Sequence, residues 1–267
     1  MSASPSDYLL AGPTDPVARR HVLLGELFDP WSMAVLKTVG IAQGWACWEV
    51  GAGGGGLISR LLEAVGPTGR VLATDLDLRS LPASSGTLEV RRHDVAADAA
   101  PVEAFDLIHA RLLLVHLPQR DAVVRSLVER LRPGGWLVLE DADPGLQPLA
   151  CIDPSTLPEH RANEIRSGFR SLLAARGADL AFGRSLPRRL RAVVLSDVRS
   201  EAHFPMVHPA CAALELATLD LIGDQLLDAG KVDPTDLDAH RAAVMAGEID
   251  LVQPPMISAW GQRPLDG

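Results

Sequence analysis

The segment W-E-V-G-A-G-G-G-G, residues 48–56, constrains the fold more than any other part of the chain. A short apolar run ends there in glycines, a segment with helical periodicity follows at residues 57–65, and a second apolar run ends in Asp75. This order predicts a strand, a tight turn, a helix and a second strand. Glycines let the backbone approach a ligand closely, and the helix N-terminus behind them offers unpaired N–H groups. The unit therefore predicts a site for a nucleotide-like ligand.

Two kinds of cofactor fit this pattern. Gly51, Gly53 and Gly56 satisfy the dinucleotide fingerprint G-x-G-x-x-G, and Asp75 follows at the distance of about 20 residues expected of a ribose-binding acid, so a nicotinamide cofactor is one interpretation. Glu49 argues against it, because both faces of that strand are covered in a dinucleotide-binding fold. A carboxylate at this position suits a ligand that carries a cation. The other interpretation of Glu49 is a core residue that accepts hydrogen bonds from the backbone.

Further segments continue the pattern along the chain. A short strand ending in an acid is predicted at V-R-R-H-D-V (residues 90–95), and another strand at A-F-D-L-I-H-A-R (residues 104–111), followed by a helix over residues 121–130. The sequence L-R-P-G-G that follows predicts a helix stop and a turn before a fifth strand ending at Glu140. Together with E-V-G-A-G-G-G and Asp75, this series over residues 41–143 resembles the Rossmann-like (class I) S-adenosylmethionine-dependent methyltransferases of small molecules.

The resemblance implies one α/β domain over residues 1–267. We expect a Rossmann-like sheet of seven mostly parallel strands with helices on both faces and an antiparallel last strand. Residues 1–40 would form an arm of two helices, 17–28 and 31–40, separated at Asp29-Pro30. Residues 144–180 and 208–250 would be helical cap segments, the second inserted between the sixth and last strands. These parts are expected to form a lid over the carboxyl ends of the strands, where ligands bind in such sheets.

The resemblance also implies contacts to S-adenosylmethionine, residue by residue. Asp75 would bind the ribose hydroxyls, with Asp77 as the competing acid; we prefer Asp75 because it ends the strand directly, whereas Asp77 suits an exposed helix cap. The other implied contacts are Gly51, Ala52 and Gly53 along the methionine portion, Glu49 near its ammonium group, Leu76 on adenine, Asp94 and Val95 at the adenine amino group and ring, and Ala110 and Arg111 near the sulfonium and the methionine tail.

Catalysis of methyl transfer asks for alignment and, for some acceptors, removal of a proton. His116, and after it His109, are the candidate bases because imidazole titrates near neutral pH. The alternative for each is a histidine that bonds backbone in a turn. No metal is expected, because Glu140, Asp141 and Asp143 have no acid beside them at the end of the fourth strand and make a poor magnesium site.

The amino-acid composition of the chain indicates which classes of partner and which location to expect. A net charge of −9 argues against nucleic acid, and no apolar run approaches the roughly 18 residues of a membrane span. The three separated cysteines suggest a reducing, cytoplasmic location. The apolar content of the cap segments predicts an apolar or aromatic small-molecule acceptor, of the kind made in secondary metabolism and methylated on O or N. The identity of the acceptor, the choice between O-, N- and C-methylation, and the oligomeric state are left open. The alternatives are a nicotinamide-dependent reductase and a catalytically silent S-adenosylmethionine-binding subunit.

Overall fold

One seven-stranded sheet organises the protein, with strand order β3-β2-β1-β4-β5-β7-β6. The computed structural model describes residues 9–12 and 14–265. The strands are β1 (Ala46–Val50), β2 (Arg70–Asp75), β3 (Leu88–Arg92), β4 (Phe105–Arg111), β5 (Leu131–Ala142), β6 (Ser196–His203) and β7 (Met256–Gln262).

The strands β1 to β5 pair in parallel, whereas β7 runs antiparallel to both β5 and β6. The chain runs outward from β1 through β2 to β3 and then returns to place β4 on the other side of β1, so the strand order reverses between β1 and β4. In open α/β sheets, ligands bind outside the carboxyl ends of the strands at such a reversal. The predicted fold class, with its antiparallel last strand, is confirmed.

Helices cover both faces of the sheet. They are α1 (Thr14–Thr38), α2 (Gly56–Val65), α3 (Arg120–Glu129), α4 (Leu157–Ala175), α5 (Phe182–Ala192), α6 (Pro209–Asp228) and α7 (Pro234–Ala246). Trp48 and Ile108 pack with α3 and α5 on one face, while their neighbours Cys47 and Leu107 pack with α1 and α2 on the other. This alternation follows from the two-residue period of a strand and makes both faces apolar. None of the helices in residues 9–12 and 14–265 is long and apolar enough to span a membrane.

The expectation of two helices in the N-terminal arm is wrong. The structure has one helix, α1, that continues through Pro30. Proline removes a backbone donor and disfavours a helix interior, but side chains on both sides of Pro30 are fixed to the sheet. Asp29 accepts a hydrogen bond from Arg111, and Ser32 donates to Glu140. These tertiary contacts keep α1 continuous at Pro30, where a backbone N–H donor is missing.

The strand β5 also starts earlier than the sequence indicates. It begins at Leu131 and runs through L-R-P-G-G, where a turn was predicted. Its pairing with β4 shifts there, because Phe105 pairs with Leu131 and Leu107 with Trp136, and Gly134 takes φ of 78° in the extra residues. This register shift accommodates the proline and the two glycines, so the strand does not end there. The two helices α6 and α7 lie between β6 and β7, as the predicted insertion requires.

Candidate active site

The glycine turn joins β1 to α2 and is bound to the end of β2. Gly51 and Gly53 have φ of 69° and 55°, which side chains other than glycine rarely adopt. The N–H groups of Gly51 and Ala52 donate to the carbonyl of Thr74, and the N–H of Gly53 donates to Oδ2 of Asp75 at 2.8 Å. The turn and the acid of β2 therefore form one unit.

Side chains from two other elements cover this turn closely. A Cβ added to Gly51 would lie 3.0 Å from Leu113, and one added to Gly54 would lie 2.6 Å from Cβ of His21 on α1. Burial, with Arg20 beside it, lowers the pKa of His21, so the imidazole over the turn is neutral at pH 7. His21 was not among the predicted site residues, because no motif marks it and only the packing of α1 brings it there.

The two candidate ribose acids differ in their surroundings. Asp75 is half-buried, and its Oδ1 accepts the N–H of Asp77 at 3.0 Å. The carboxylate of Asp77 is exposed and turned toward Arg79, whose guanidinium lowers its pKa. Asp75 thus contacts the glycine turn through Gly53, whereas the carboxylate of Asp77 is paired with Arg79, and half-buried Leu76 lies between the two in sequence.

The loop after β3 reaches the same edge of the sheet. The N–H of His93 donates to the carbonyl of Asp75 at 3.0 Å, which brings the following Asp94 and Val95 next to the acid of β2. Oδ1 of Asp94 accepts the N–H of Ala96, so the carboxylate helps to shape the loop. Val95 packs against the core. A glycine cradle, a strand-end acid and this loop fit the methionine, ribose and adenine portions of S-adenosylmethionine.

Three buried side chains connect the middle strands. His109 of β4 lies between two carboxylates, with Nδ1 2.7 Å from Oε2 of Glu49 on β1 and Nε2 3.1 Å from Oε2 of Glu140 on β5. Burial by itself lowers the pKa of His109, but the two carboxylates outweigh it and raise the pKa to about 9. His109 is therefore an imidazolium at neutral pH.

This environment removes His109 as a candidate base. Its side chain is 1% exposed and both ring nitrogens are occupied. A base must be within hydrogen-bond reach of the proton that it takes. The structure also gives Glu49 a partner that the sequence did not suggest, since its buried carboxylate contacts His109 rather than only backbone.

The same network anchors α1 over the sheet. Glu140 accepts from Ser32 of α1 and from Ser258 of β7, and Arg111 donates Nη1 to Ser32 at 2.8 Å and Nη2 to Asp29 at 2.7 Å. The guanidinium of Arg111 is thus held by α1. Ala110, the other residue predicted near the sulfonium, is buried in the core beside β1.

The acids at the end of β5 each have a structural partner. Besides Glu140, Asp141 accepts the N–H of Val115, and Asp143 binds Arg184 through both oxygens. Burial raises the pKa of Asp141 well above its usual range. In the part of the chain that the structure describes, no group of three or more histidine, cysteine, aspartate or glutamate residues is arranged to hold a metal ion.

A cavity lies beside the strand ends, between α1, α4 and α6. The space between its lining atoms amounts to about 920 Å³, part of it open to solvent. The wall is largely apolar, with Leu24 and Phe28 from α1, Phe169 from α4 and Leu214 from α6 among its residues. The arm and both cap segments thus contribute to one cavity at the predicted place.

His116 is on the wall of this cavity, in a short 3-10 helix (Leu114–His116) after β4. Burial, with Arg20 and Arg120 nearby, lowers its pKa to about 4. The imidazole is therefore neutral at pH 7 and can accept a hydrogen bond. Of the two predicted histidines, His116 lines the cavity and His109 does not.

The cavity and the glycine turn meet at two consecutive residues. Leu112 lines the cavity, whereas Leu113 lies against Gly51. Leu112 has φ of 54°, an uncommon conformation for a residue with a side chain, and its N–H donates to the carbonyl of Glu140. This left-handed residue ends β4 and turns neighbouring side chains to two different sites.

Comparison with known proteins identifies the family. A methyltransferase domain model matches residues 48–137, which run from β1 into β5 and hold the glycine turn, Asp75 and the loop after β3. This match supports the predicted Rossmann-like, S-adenosylmethionine-dependent methyltransferase. The predicted family is thus confirmed, and with it S-adenosylmethionine as the cofactor of the family.

Similar proteins agree with this match. Methyltransferase str2 of Strobilurus tenacellus is 30% identical over 174 residues, which cover 63% of this chain and 58% of that protein. The ubiquinone/menaquinone biosynthesis C-methyltransferase UbiE of Pseudomonas putida is 27% identical over 133 residues, 46% of this chain and 52% of its own length. The chain therefore spans a little over half the length of these relatives.

Solved structures share the fold. Phosphoethanolamine N-methyltransferase 2 of Haemonchus contortus, in complex with S-adenosyl-L-methionine, matches with a TM-score of 0.61 at 14% identity, over 98% of this chain and 60% of that one. At this identity the likeness concerns the fold alone.

Proposed function

We propose that the protein transfers a methyl group from S-adenosylmethionine to an O or N atom of a small, largely apolar molecule bound in the cavity between α1, α4 and α6. The observation that carries this proposal is the adjacency of Leu112 and Leu113. One lines the cavity and the other lies against Gly51 of the cofactor turn. A methyl donor at the glycine turn and a methyl acceptor in the cavity would therefore meet beside Leu112 and Leu113.

Residues at the carboxyl ends of β2 and β3 would make the contacts to the cofactor. Asp75 is positioned to accept hydrogen bonds from a ribose diol after exchanging its present bond to the N–H of Gly53. Val95 and Leu76 offer apolar surface at the same edge, and Asp94 follows in the loop held to Asp75 by His93. Bound S-adenosylmethionine supplies a methyl group that is already activated by the positive sulfur.

The remaining work of the protein is to orient the acceptor and exclude water. The three helices around the cavity enclose the acceptor beside the strand ends. The neutral imidazole of His116 accepts a hydrogen bond from the hydroxyl or amine group of the methyl acceptor. This hydrogen bond turns the lone pair of the attacking O or N atom toward the methyl group of the cofactor. A pKa of about 4 is poorly matched to full proton abstraction at pH 7, so we assign His116 an orienting role rather than that of a strong base.

Calorimetry and product analysis test this function together. We expect the protein to bind S-adenosylmethionine and not NADH, and to release S-adenosylhomocysteine when an apolar hydroxyl or amine compound is the acceptor. Binding of NADH in place of S-adenosylmethionine would support a reductase. Tight binding of S-adenosylmethionine with no turnover on any acceptor that binds the cavity would support a silent cofactor-binding subunit.

A further inference from the structure

One wall of the cavity carries basic and amide side chains that the apolar character of the acceptor does not explain. Arg166 and Arg170 lie one turn apart on α4, so their side chains are neighbours on one face of the helix, and both line the cavity. Gln253, in the segment before β7, lines the same cavity.

Arg166 is neutralised within the protein. Its Nη2 lies 3.0 Å from Oε2 of buried Glu215, whose other oxygen contacts His240 at 3.1 Å. Burial alone would raise the pKa of Glu215, but Arg166 and His240 outweigh it and lower the pKa to about 2, so Glu215 stays ionised. The charge of Arg166 therefore has its counterion in the wall.

Arg170 and Gln253 are different. Within residues 9–12 and 14–265, Arg170 forms no ion pair, and its buried Nε has no hydrogen-bond partner. Gln253 is 8% exposed, and its buried Nε2 also lacks an acceptor in the described part of the chain. A buried donor left unpaired destabilises the protein, so a ligand that brings acceptor oxygens to these donors is favoured.

The two donors belong to the same wall. Nη1 of Arg166 donates to the carbonyl of Val252, which precedes Gln253, and Arg170 is one turn from Arg166. Leu112 and His116, by contrast, follow β4, and Leu113 between them lies against Gly51 of the cofactor turn. A ligand that contacts both walls has its polar anchor on the α4 side and its reacting atom on the β4 side.

We propose that the methyl acceptor carries a carboxylate that is bound by Arg170 and Gln253, with its apolar body across the cavity and its nucleophilic atom at Leu112 and His116. The guanidinium of Arg170 can bind a planar carboxylate through two parallel hydrogen bonds. This proposal rests on the proposed function, since it concerns the acceptor of the same reaction.

The test uses two probes of the same shape, cinnamate and its neutral amide cinnamamide, titrated calorimetrically into the protein saturated with S-adenosylhomocysteine. We expect cinnamate to bind at least about tenfold more tightly than cinnamamide, because charge-assisted hydrogen bonds are stronger than those between neutral groups. Arg170→Ala should abolish this preference by weakening cinnamate alone, and Gln253→Leu should reduce it severalfold. Arg188→Ala removes an exposed arginine outside the cavity wall and should leave it unchanged.

Several results would overturn the carboxylate anchor. Two concern the wild-type protein: equal affinity for both probes, or no measurable binding of cinnamate. Two concern the variants: a preference for cinnamate that survives both substitutions, or an equal loss of affinity for both probes in Arg170→Ala. Formation of methyl cinnamate when S-adenosylmethionine replaces the product would also overturn it, because the carboxylate would then lie at the methyl donor. Failure of the proposed function is separate, since it appears as absence of S-adenosylmethionine binding in the wild-type protein.

Discussion

Nδ1 of His109 lies 2.7 Å from Oε2 of Glu49, in the middle of the sheet and next to the glycine turn. The imidazolium also contacts Glu140, whose carboxylate accepts from Ser32 of α1. A single buried cation thus links the strand that leads into the cofactor turn with the helix that covers it. We interpret His109 as a positioning residue, which outweighs the effect of burial on Glu140, keeps the pKa of that carboxyl low and holds α1 in place.

Replacing His109 by Gln should lower the free energy of unfolding by about 3–5 kcal/mol at pH 7, because two buried carboxylates lose their counterion. The folded protein raises the pKa of His109 from 6.5 to about 9, so this stabilisation is fully present below pH 6.5 and is lost as the pH rises through about 9. Chemical denaturation across this range should show the difference between wild type and variant shrinking at high pH. His160→Gln, at an exposed position, is the control. A difference that stays constant with pH would contradict a charged His109.

Replacing Asp75 by Ala should weaken S-adenosylmethionine binding by about 1.5–3 kcal/mol, since hydrogen bonds between the ribose and a charged group are lost. Asp77→Ala is the matched control, because that carboxylate is exposed and paired with Arg79. Calorimetric titration of both variants measures the two effects. If the loss appears in Asp77→Ala and not in Asp75→Ala, the ribose acid has been assigned to the wrong residue.

His116→Ala should lower the turnover number by roughly tenfold while cofactor affinity is kept, because the acceptor is no longer oriented. A drop of roughly 10²-fold or more would instead indicate the role of a general base. With the pKa of His116 lowered to about 4, the part of the rate that depends on this residue should be flat across neutral pH. A titration near neutral pH that is present in wild type and absent in His116→Ala would show that the imidazole changes its charge there.

Ala142→Phe should fill the cavity from the end of β5 and lower methylation of the acceptor by at least about tenfold, while S-adenosylmethionine affinity stays within about threefold. Ala229→Phe places the same side chain at an exposed position after α6 and serves as the control. Undiminished methylation by a folded Ala142→Phe protein would mean that the acceptor binds elsewhere.

The parts of the fold that sequence reasoning predicted are those in which local chemistry decides the structure. The glycine turn and Asp75 were found because a tight turn and a strand-end acid leave a local mark within some 25 residues. Pro30 shows the limit of such reasoning, since the hydrogen bonds of Asp29 and Ser32 to β4 and β5 keep α1 continuous there.

The buried network around His109 could not be predicted from the sequence for a related reason. Glu49, His109 and Glu140 come from three strands that are far apart in the sequence, and only the register of β1, β4 and β5 makes them neighbours. A polar residue in each of three apolar strands was the available signal. Arg170 and Gln253 gave no comparable signal, because a lone arginine on a helix and a glutamine in a loop are usual on solvated surfaces.

The central claim is that the turn at Gly51–Gly53, with Asp75, binds S-adenosylmethionine. Side-by-side calorimetric titrations of the wild-type protein with S-adenosylmethionine and NADH test it most directly. We expect saturable binding of S-adenosylmethionine at one site per chain and no measurable heat with NADH. Saturable binding of NADH, with none of S-adenosylmethionine, would contradict the account.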